Sequence, residues 1–380
     1  MESIKHESTK YVRDCWYVAG LSHEFKPAVL TAHKIAEKSI VIWRTNEGKI
    51  VAFDNRCCHK RFPLSEGRFI EEGILECAYH GLCYNESGKC VKIPAHPDGR
   101  IPEQARLRPF PVIEQDGLVW IWSGNPERAS QFQPPRTPEI ADPKWEAIDS
   151  GPMAVPANYL LLIENLLDIT HFYPLHDGNI GDYANSLLPI ELEEGETGGY
   201  RYVKSLRRAS GYKQPPYFVD WFHYEVVDRE HTHCMVSPGL TRVQLRVAPV
   251  GRLGTEDERG YVLFHTHTPV DDRNHVWRWC VSTPAHHMSR GDPTKSATKR
   301  IAEMFPEVVD EDRWALEKQQ QMKEYPDDGY SELFLSTDKA LRRARQILAQ
   351  MQHEEMQHEQ MQTPKAKAPV ALAKSAALSQ

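Results

Sequence analysis

Residues 57 to 80 constrain this chain more than any other stretch. Cys57-Cys58-His59 is followed, after seventeen residues, by Cys77-Ala78-Tyr79-His80. The pattern is C-x-H-x17-C-x-x-H, two short clips that each bring one sulfur and one imidazole. Both atom types are soft or borderline metal ligands. Each clip places its Cys and His at the tip of a loop, and two such loops can close on one metal unit. Five of the eight cysteines lie between residues 57 and 90, interleaved with histidines. Eight cysteines in 380 residues are too sparse for a disulfide scaffold. Local clustering of this kind reads as a metal site.

Two metal units suit four such ligands. One is a tetrahedral Cys2His2 zinc site. The other is a Rieske [2Fe–2S] cluster, with two Cys on one iron and two His on the other. Zinc fingers group Cys with Cys and His with His, whereas here each clip mixes them, which favours the cluster. Cys57, His59, Cys77 and His80 are then its ligands, and Cys58, Cys83 and Cys90 are packing residues. Neutral imidazoles in place of thiolates raise the cluster potential. Such a cluster accepts electrons from a ferredoxin-type donor and passes them to an oxygen-activating metal.

The first ~145 residues read as β-structure. Ser39–Trp43, Ile50–Phe53 and Leu118–Trp122 are short, β-branched and aromatic, and Gly-, Asn- and Asp-containing turn signals bound them. A proline-rich stretch from Gln133 to Pro143 reads as a linker. Residues 157–173 carry a helical apolar pattern, about 200–285 read as strands, and Pro293 to about Leu348 turn helical again. Leu341 to Gln362 form a further helix. Thr363 to Gln380 hold few large apolar side chains and read as disordered. Basic and acidic side chains, 46 against 53, leave a formal charge of −7, so nothing drives binding to nucleic-acid phosphates. The longest apolar stretch, Tyr159 to Ile169, is interrupted by Glu164, Asn165 and Asp168 and falls short of the ~18 residues of a bilayer span. The first ten residues lack the apolar core of a signal peptide. The expectation is a soluble, cytoplasmic protein with no membrane or nucleic-acid partner.

The second informative segment is Asn165-Leu-Leu-Asp168-Ile-Thr-His171-Phe-Tyr-Pro-Leu-His176. At ~100° per residue, Asn165, Asp168 and His171 share one helical face. His176 lies off that face, but Pro174 disrupts the helix and lets the two imidazoles converge. Polar side chains on an apolar stretch are costly unless satisfied. Two nearby histidines plus a remote carboxylate make the facial triad of non-haem Fe(II) oxygenases. The third ligand must come from elsewhere. Asp310, Glu311 and Asp312 open a good helix-forming run, where acids ordinarily serve only the helix dipole.

Pro63-Leu-Ser-Glu-Gly67, Tyr79-His-Gly81, Gly88 with Cys90, Ile93-Pro94, the D-x2-H-x4-H spacing after Asn165, and the opening Tyr11-Val-Arg-Asp-Cys-Trp-Tyr-Val-Ala-Gly20 together resemble the terminal oxygenase (α) components of Rieske non-haem iron systems. The resemblance is to the vanillate and dicamba O-demethylase group with its related N-dealkylases, and it spans about residues 8–348. Ala78 and Leu82 depart from the Pro and Trp common there, at flanking positions. The resemblance implies an α+β chain: an antiparallel-β Rieske domain (1–145), a helix-grip-like catalytic domain with an antiparallel sheet and covering helices (146–350), and a helical extension with tail (351–380). It implies mononuclear Fe(II) on His171, His176 and Asp312. It also implies that Asp168 bridges a cluster His of a neighbouring subunit, here His80, to His171, with Asn165 beside it in the catalytic site. A head-to-tail ring follows, usually a trimer. No phosphate loop or flavin fingerprint occurs, so electrons from NAD(P)H must arrive through a ferredoxin and ferredoxin reductase, or a combined reductase. The implied reaction is O2-dependent hydroxylation of a small aromatic substrate, with O- or N-dealkylation releasing an aldehyde. Its rivals are a phthalate-type ring dioxygenase and, outside that class, a pure electron carrier.

Overall fold

The computed structural model describes residues 11–362, apart from 72, 97, 327, 328, 330 and 331. The tail expected to be disordered lies outside the described residues. The N-terminal part carries three small antiparallel sheets. Strands β1 (Trp16–Leu21), β2 (Thr31–Ile35), β3 (Lys38–Arg44), β4 (Ile50–Asp54), β5 (Arg68–Glu71), β6 (Ile74–Glu76), β7 (Cys83–Tyr84), β8 (Cys90–Lys92), β9 (Val112–Gln115) and β10 (Leu118–Trp122) pair in the orders β1-β10-β9, β2-β3-β4 and β5-β6-β7-β8. The three segments read as strands from their β-branched and aromatic content fall within β3, β4 and β10. Trp43 stacks on Phe53 with ring centres 5.4 Å apart. These rings share a core with Cys57, Leu64, Cys77 and Tyr84, so the metal clips grow directly out of packed side chains.

The second part is built on one antiparallel sheet. After β11 (Trp145–Asp149) and β12 (Met153–Val155), helices α1 (Tyr159–Leu167), α2 (Phe172–Leu175) and α3 (Tyr183–Ser186) precede β13 (Glu191–Thr197) and β14 (Tyr200–Lys213). Helix α4 (Pro216–Phe222) then leads to β15 (Val226–Ser237), β16 (Leu240–Ala248), β17 (Arg259–Pro269), β18 (His275–Pro284), α5 (Ala297–Lys323) and α6 (Lys339–Gln362). The order is β11-β18-β17-β16-β15-β14-β13, with β12 also on β18. Strands β17 and β18 are buried along most of their length rather than alternately. Both sheet faces are covered there, which is what a continuous buried run requires. Leu263, Trp277 and Val281 pack under α1, α4 and α5. Val262 and Phe264 pack on the other side against β1, β10 and α6.

Three local expectations differ from what forms. Helix α1 stops at Leu167, before Asp168, because Asp168 turns to φ −99°, ψ 115° and its carboxylate takes the Thr170 N–H at 2.7 Å. An Asp side chain that captures a backbone donor two residues on ends a helix in this way. Pro174 therefore does not make the break. It sits in the first turn of α2, where no helical N–H is needed. Tyr217, Phe218, Trp221 and Phe222 lie on α4 rather than on a strand, with Pro216 preset at the first helical position. The acidic run Glu191–Glu196 lies in the exposed edge strand β13, where Lys204 and Arg208 on β14 and Arg343 on α6 neutralise its charge.

Candidate metal centres

The two clips are one structure made twice. The Cys57 N–H donates to Phe62 O (2.9 Å) and the Arg61 N–H to Cys57 O (2.9 Å); the Cys77 N–H donates to Leu82 O (2.9 Å) and the Gly81 N–H to Cys77 O (3.0 Å). Arg61 and Gly81, at matching positions, both adopt left-handed φ, 59° and 69°. Glycine is required at the second, because a Cβ there would stand 2.9 Å from the Pro94 ring. Cys57 and Cys77 are buried side by side, and burial pushes the Cys77 thiol up. His59 and His80 stand exposed above them with ring centres 4.5 Å apart. Two sulfurs beneath and two imidazoles on the solvent side are the donor set of a Rieske cluster. The other cysteines of the stretch are engaged elsewhere. Cys83 and Cys90 donate to the carbonyls of Gly81 and Lys92, and Cys58 lies 3.2 Å from the Tyr84 hydroxyl.

The second group joins residues from distant parts of the chain. Ligand atoms of His171, His176 and Asp312 lie within 4.8 Å of one another. His171 Nε2 is 3.4 Å, and His176 Nε2 3.3 Å, from Asp312 Oδ1. His171 caps the start of α2 and His176 follows its end, so this one short helix sets the spacing of both imidazoles. Asp312 comes from the middle of α5, not from its first turn, since the helix begins at Ala297. A dipole role for this acid therefore fails. Burial pushes its carboxyl up, but the imidazoles of His171 and His176 beside it more than offset this and hold it well below the usual range. His176 is fully buried, and its Nε2 has no aligned hydrogen-bond partner among the described residues. An orphaned imidazole nitrogen beside an ionised carboxylate and a second imidazole fits a divalent metal of the two-His, one-carboxylate type.

Supporting residues complete this centre. The His176 Nδ1–H donates to Glu311 Oε2 at 2.6 Å, which leaves Nε2 as the ligand atom, and Asn179 donates to Glu311 Oε1 at 2.9 Å. Among the acids of its run, Glu311 is thus the one that orients a ligand. Asn165 Nδ2 donates to Asp312 Oδ1 at 2.9 Å. Asp168 stands half-buried beyond the helix end; its Oδ1 accepts from the Thr170 N–H and hydroxyl. Among the described residues no hydrogen bond joins it to His171 or to His80 of the same chain.

Beside the three ligands lies an apolar cavity, lined by Phe172, Phe218, Trp221, Val243, Leu263 and Phe305 among others. His231, His233 and His265 project into it from the sheet. The Leu166 carbonyl accepts the His233 Nδ1–H at 2.6 Å, which makes His233 Nε2 an acceptor for His231 Nε2–H at 3.1 Å. His231 Nδ1 in turn faces Arg229 Nη2 at 3.4 Å. Burial pushes His233 and His265 down to about 3 and His231 well below its ordinary value, so all three are neutral. His267, two residues on from His265, turns instead to Pro238 O and Thr241. Sequence reasoning missed Asn179, which lies in the turn after α2 and carries no motif, and Arg207 and Arg229, whose places follow only from strand register.

Comparison with known proteins agrees with this architecture. Residues 15–111 match the Rieske [2Fe-2S] domain family and residues 155–354 the vanillate O-demethylase oxygenase C-terminal domain family. A putative toluene-4-sulfonate monooxygenase system iron–sulfur subunit of Comamonas testosteroni is 31% identical over 90% of this chain and 98% of its own. The oxygenase component of chloroacetanilide N-alkylformylase from Rhizorhabdus wittichii is 28% identical over 81% and 85%. The crystal structure of dicamba monooxygenase bound to 3,6-dichlorosalicylic acid superposes with a TM-score of 0.80 at 26% identity, over 91% of this chain and 99% of that one. Another structure of that enzyme, with a TM-score of 0.74 at 25% identity over 92% and 99%, holds non-haem iron and dicamba. Such relatives are oxygenase components of multicomponent systems, so electrons reach them from partner proteins. The chain belongs to the vanillate O-demethylase family of Rieske non-haem iron oxygenase components.

Proposed function

We propose that this oxygenase component hydroxylates an alkyl carbon of a small aromatic substrate, and that O- or N-bound alkyl groups are thereby removed as aldehyde. The observation that carries this reading is the His171–His176–Asp312 triad opening onto an apolar cavity in a chain of this family. The balance is R–O–CH3 + O2 + 2 electrons + 2 protons → R–O–CH2OH + H2O, and the hemiacetal then collapses to R–OH and formaldehyde. Iron held by the triad supplies the activation of O2. Around it the chain's own residues have defined tasks. Glu311 fixes the His176 tautomer, Asn165 orients Asp312, and Phe172, Phe218 and Trp221 hold an aromatic ring and exclude water. His231 and His233 spend their protons on each other and on Leu166, so they present no strong acid to the substrate.

Cys57, His59, Cys77 and His80 hold the cluster in this reading. Its exposed imidazoles receive electrons from a cytoplasmic ferredoxin and reductase. They deliver them to Asp168 of the next subunit in a head-to-tail trimer. Electrons thus enter through residues 1–145 and are used within 146–350, with 351–380 as an appendage. The test is aldehyde release. Iron-loaded protein with a surrogate ferredoxin, reductase and O2 is offered aryl methyl ethers, N-alkyl anilides, toluene-4-sulfonate and their unalkylated parents. Aldehyde stoichiometric with dealkylated product, or a benzylic alcohol from the ring methyl, supports the reading. A diol from an unalkylated parent, without aldehyde, replaces it with ring dioxygenation.

A further inference from the structure

Tyr261 is buried, at 7% exposure, and forms part of the wall of the apolar cavity beside the triad. Strand register puts it there. Tyr261 on β17 pairs with Leu245 on β16, which pairs with His231 on β15, so Tyr261 and His231 project from the same sheet face. The Tyr261 hydroxyl lies 3.5 Å from His231 Nε2, its only polar neighbour within hydrogen-bond reach among the described residues. That nitrogen cannot take its proton. The Leu166 carbonyl only accepts, so His233 Nδ1 carries a hydrogen and, in the neutral ring, His233 Nε2 does not. The 3.1 Å contact between the two Nε2 atoms therefore takes its hydrogen from His231. His231 Nδ1 is then an acceptor, which suits the Arg229 guanidinium 3.4 Å away, a group that only donates. A second proton on either ring is opposed by burial and by two buried cations, Arg229 and, directly opposite His231 on β14, Arg207. Both imidazole hydrogens are committed, and the Tyr261 O–H is left without an acceptor. A buried hydroxyl in that state is unfavourable. The rings of Phe218, Trp221 and Phe222 on this side of the sheet offer it none.

We propose that the Tyr261 hydroxyl is a specificity-determining donor: it hydrogen-bonds an oxygen acceptor carried on the substrate's aromatic ring, as a carboxylate, sulfonate or carbonyl substituent. The inference rests on this cavity being the substrate site, as read above. An arene without an acceptor leaves the hydroxyl dry and unpaired. A site built around a hydrogen bond rejects such an analogue more strongly than an apolar wall rejects a change of size. The arrangement also tells the two ends of the substrate apart. Phe172 stands between the histidine pair and the triad, its ring centre 6.4 Å from that of His231 and 5.0 Å from that of His171. The acceptor binds on the His231 side and the alkyl group lies on the His171 side.

The test measures binding without turnover, by anaerobic equilibrium dialysis of the iron-loaded protein. The probes are 3- and 4-methoxybenzoate, 3- and 4-methoxyacetophenone, and the matching methoxytoluenes, which keep the ring and the ether but lack the acceptor. The native protein should hold at least one acid or ketone more tightly than its methoxytoluene. Tyr261→Phe should weaken that ligand, by roughly 10–100-fold for a carboxylate and up to about tenfold for a ketone. The same variant should bind the methoxytoluene as tightly as the native protein or more tightly, since no donor is then left unpaired. Tyr261→Met provides a second variant without a hydroxyl should the Phe variant lose iron. Equal weakening of acid and methoxytoluene overturns the proposal and leaves Tyr261 a contact of shape alone. Unchanged affinity for the acids and ketones in both variants overturns it, as does a native protein that holds none of them more tightly than its methoxytoluene. An acid that binds through Tyr261 yet yields no aldehyde with donor and O2 leaves this assignment standing and sinks the dealkylation reading instead.

Discussion

The two candidate metal centres are built to opposite specifications. The cluster clips lie within residues 57–80, and their two histidines are exposed. The triad draws on residues 171, 176 and 312, and His176 and Asp312 are buried, the latter on the inner side of α5. The difference follows from what each must exchange. Electrons arrive from another protein, so the cluster has to sit within contact distance of the surface. Oxygen chemistry has to exclude water, because a dry, shaped cavity is what the protein contributes to a metal-assisted reaction. Local sequence suffices for the first task, while the second needs an enclosing fold.

The sharpest way to break this comparison is to remove one centre and ask whether the other survives. Asp312→Ala should lose the mononuclear iron and drop turnover by more than the roughly 100-fold seen when mere outer-layer partners are removed. The visible spectrum of the cluster should be unchanged. If the cluster is lost too, the two centres are not separately built. Asp168→Asn comes next. It should retain about three irons per chain yet slow donor-driven turnover roughly 10–100-fold. Iron analysis beside product formation checks both halves, and normal turnover would end the bridging role.

That asymmetry also decides what could be read from the sequence. C-x-H-x17-C-x-x-H displayed all four cluster ligands because two tight turns hold them. The turns needed only Gly81 and a tolerant Arg61. His171 and His176 were visible too, but for a partly mistaken reason. The helix ends at the Asp168 side-chain turn, and Pro174 only opens α2. Asp312 had no local signature that distinguished it from Asp310 and Glu311; only family resemblance singled it out. Its distinction is rotational. On α5, Asp312 faces the imidazoles, Glu311 reaches around to His176 Nδ1, and neither direction can be fixed without knowing what α5 packs against. Arg207 and Arg229 were less legible still, since their meaning comes from the pairing of β14 with β15.

Glu311→Gln sharpens the difference within the triad itself. The Gln side-chain carbonyl can still accept from His176 Nδ1–H, but the carboxylate charge that strengthens the imidazole as a ligand is gone. Iron affinity, measured by chelator competition, should weaken by about tenfold, less than the loss in Asp312→Ala. Glu311→Ala should do worse, because Nδ1 and Asn179 Nδ2 both lose their acceptor. Equal affinity in Glu311→Gln and the native protein would reduce Glu311 to a packing residue.

The mildest effect at neutral pH concerns stability, and it separates the two regions by acid. His267 and His275 are buried in the catalytic sheet away from the metal ligands, donating to Pro238 O and Ala157 O. Burial pushes them down to about 3 and about 4, so both are neutral in the native state. In the unfolded chain they take up protons below about pH 6.5. The unfolded state then binds more protons than the native one, and stability falls as the pH drops. Their contribution is complete above about pH 6.5 and is lost progressively between there and pH 3–4, at up to about 1.4 kcal/mol per histidine per pH unit. The cluster loops bury no histidine, and the N-terminal part carries such a group in His33, which burial pushes down to about 4, so its term is smaller than that of the catalytic sheet. Urea unfolding at pH 7.5 and pH 5.0 should therefore show an earlier midpoint at pH 5.0 by the fluorescence of the sheet tryptophans Trp277 and Trp279, with the visible absorption of the cluster shifting less. His267→Gln should flatten that dependence in proportion to one proton. A pH-independent midpoint for the sheet would mean that these histidines are protonated while folded, which their carbonyl-bound, fully enclosed rings argue against.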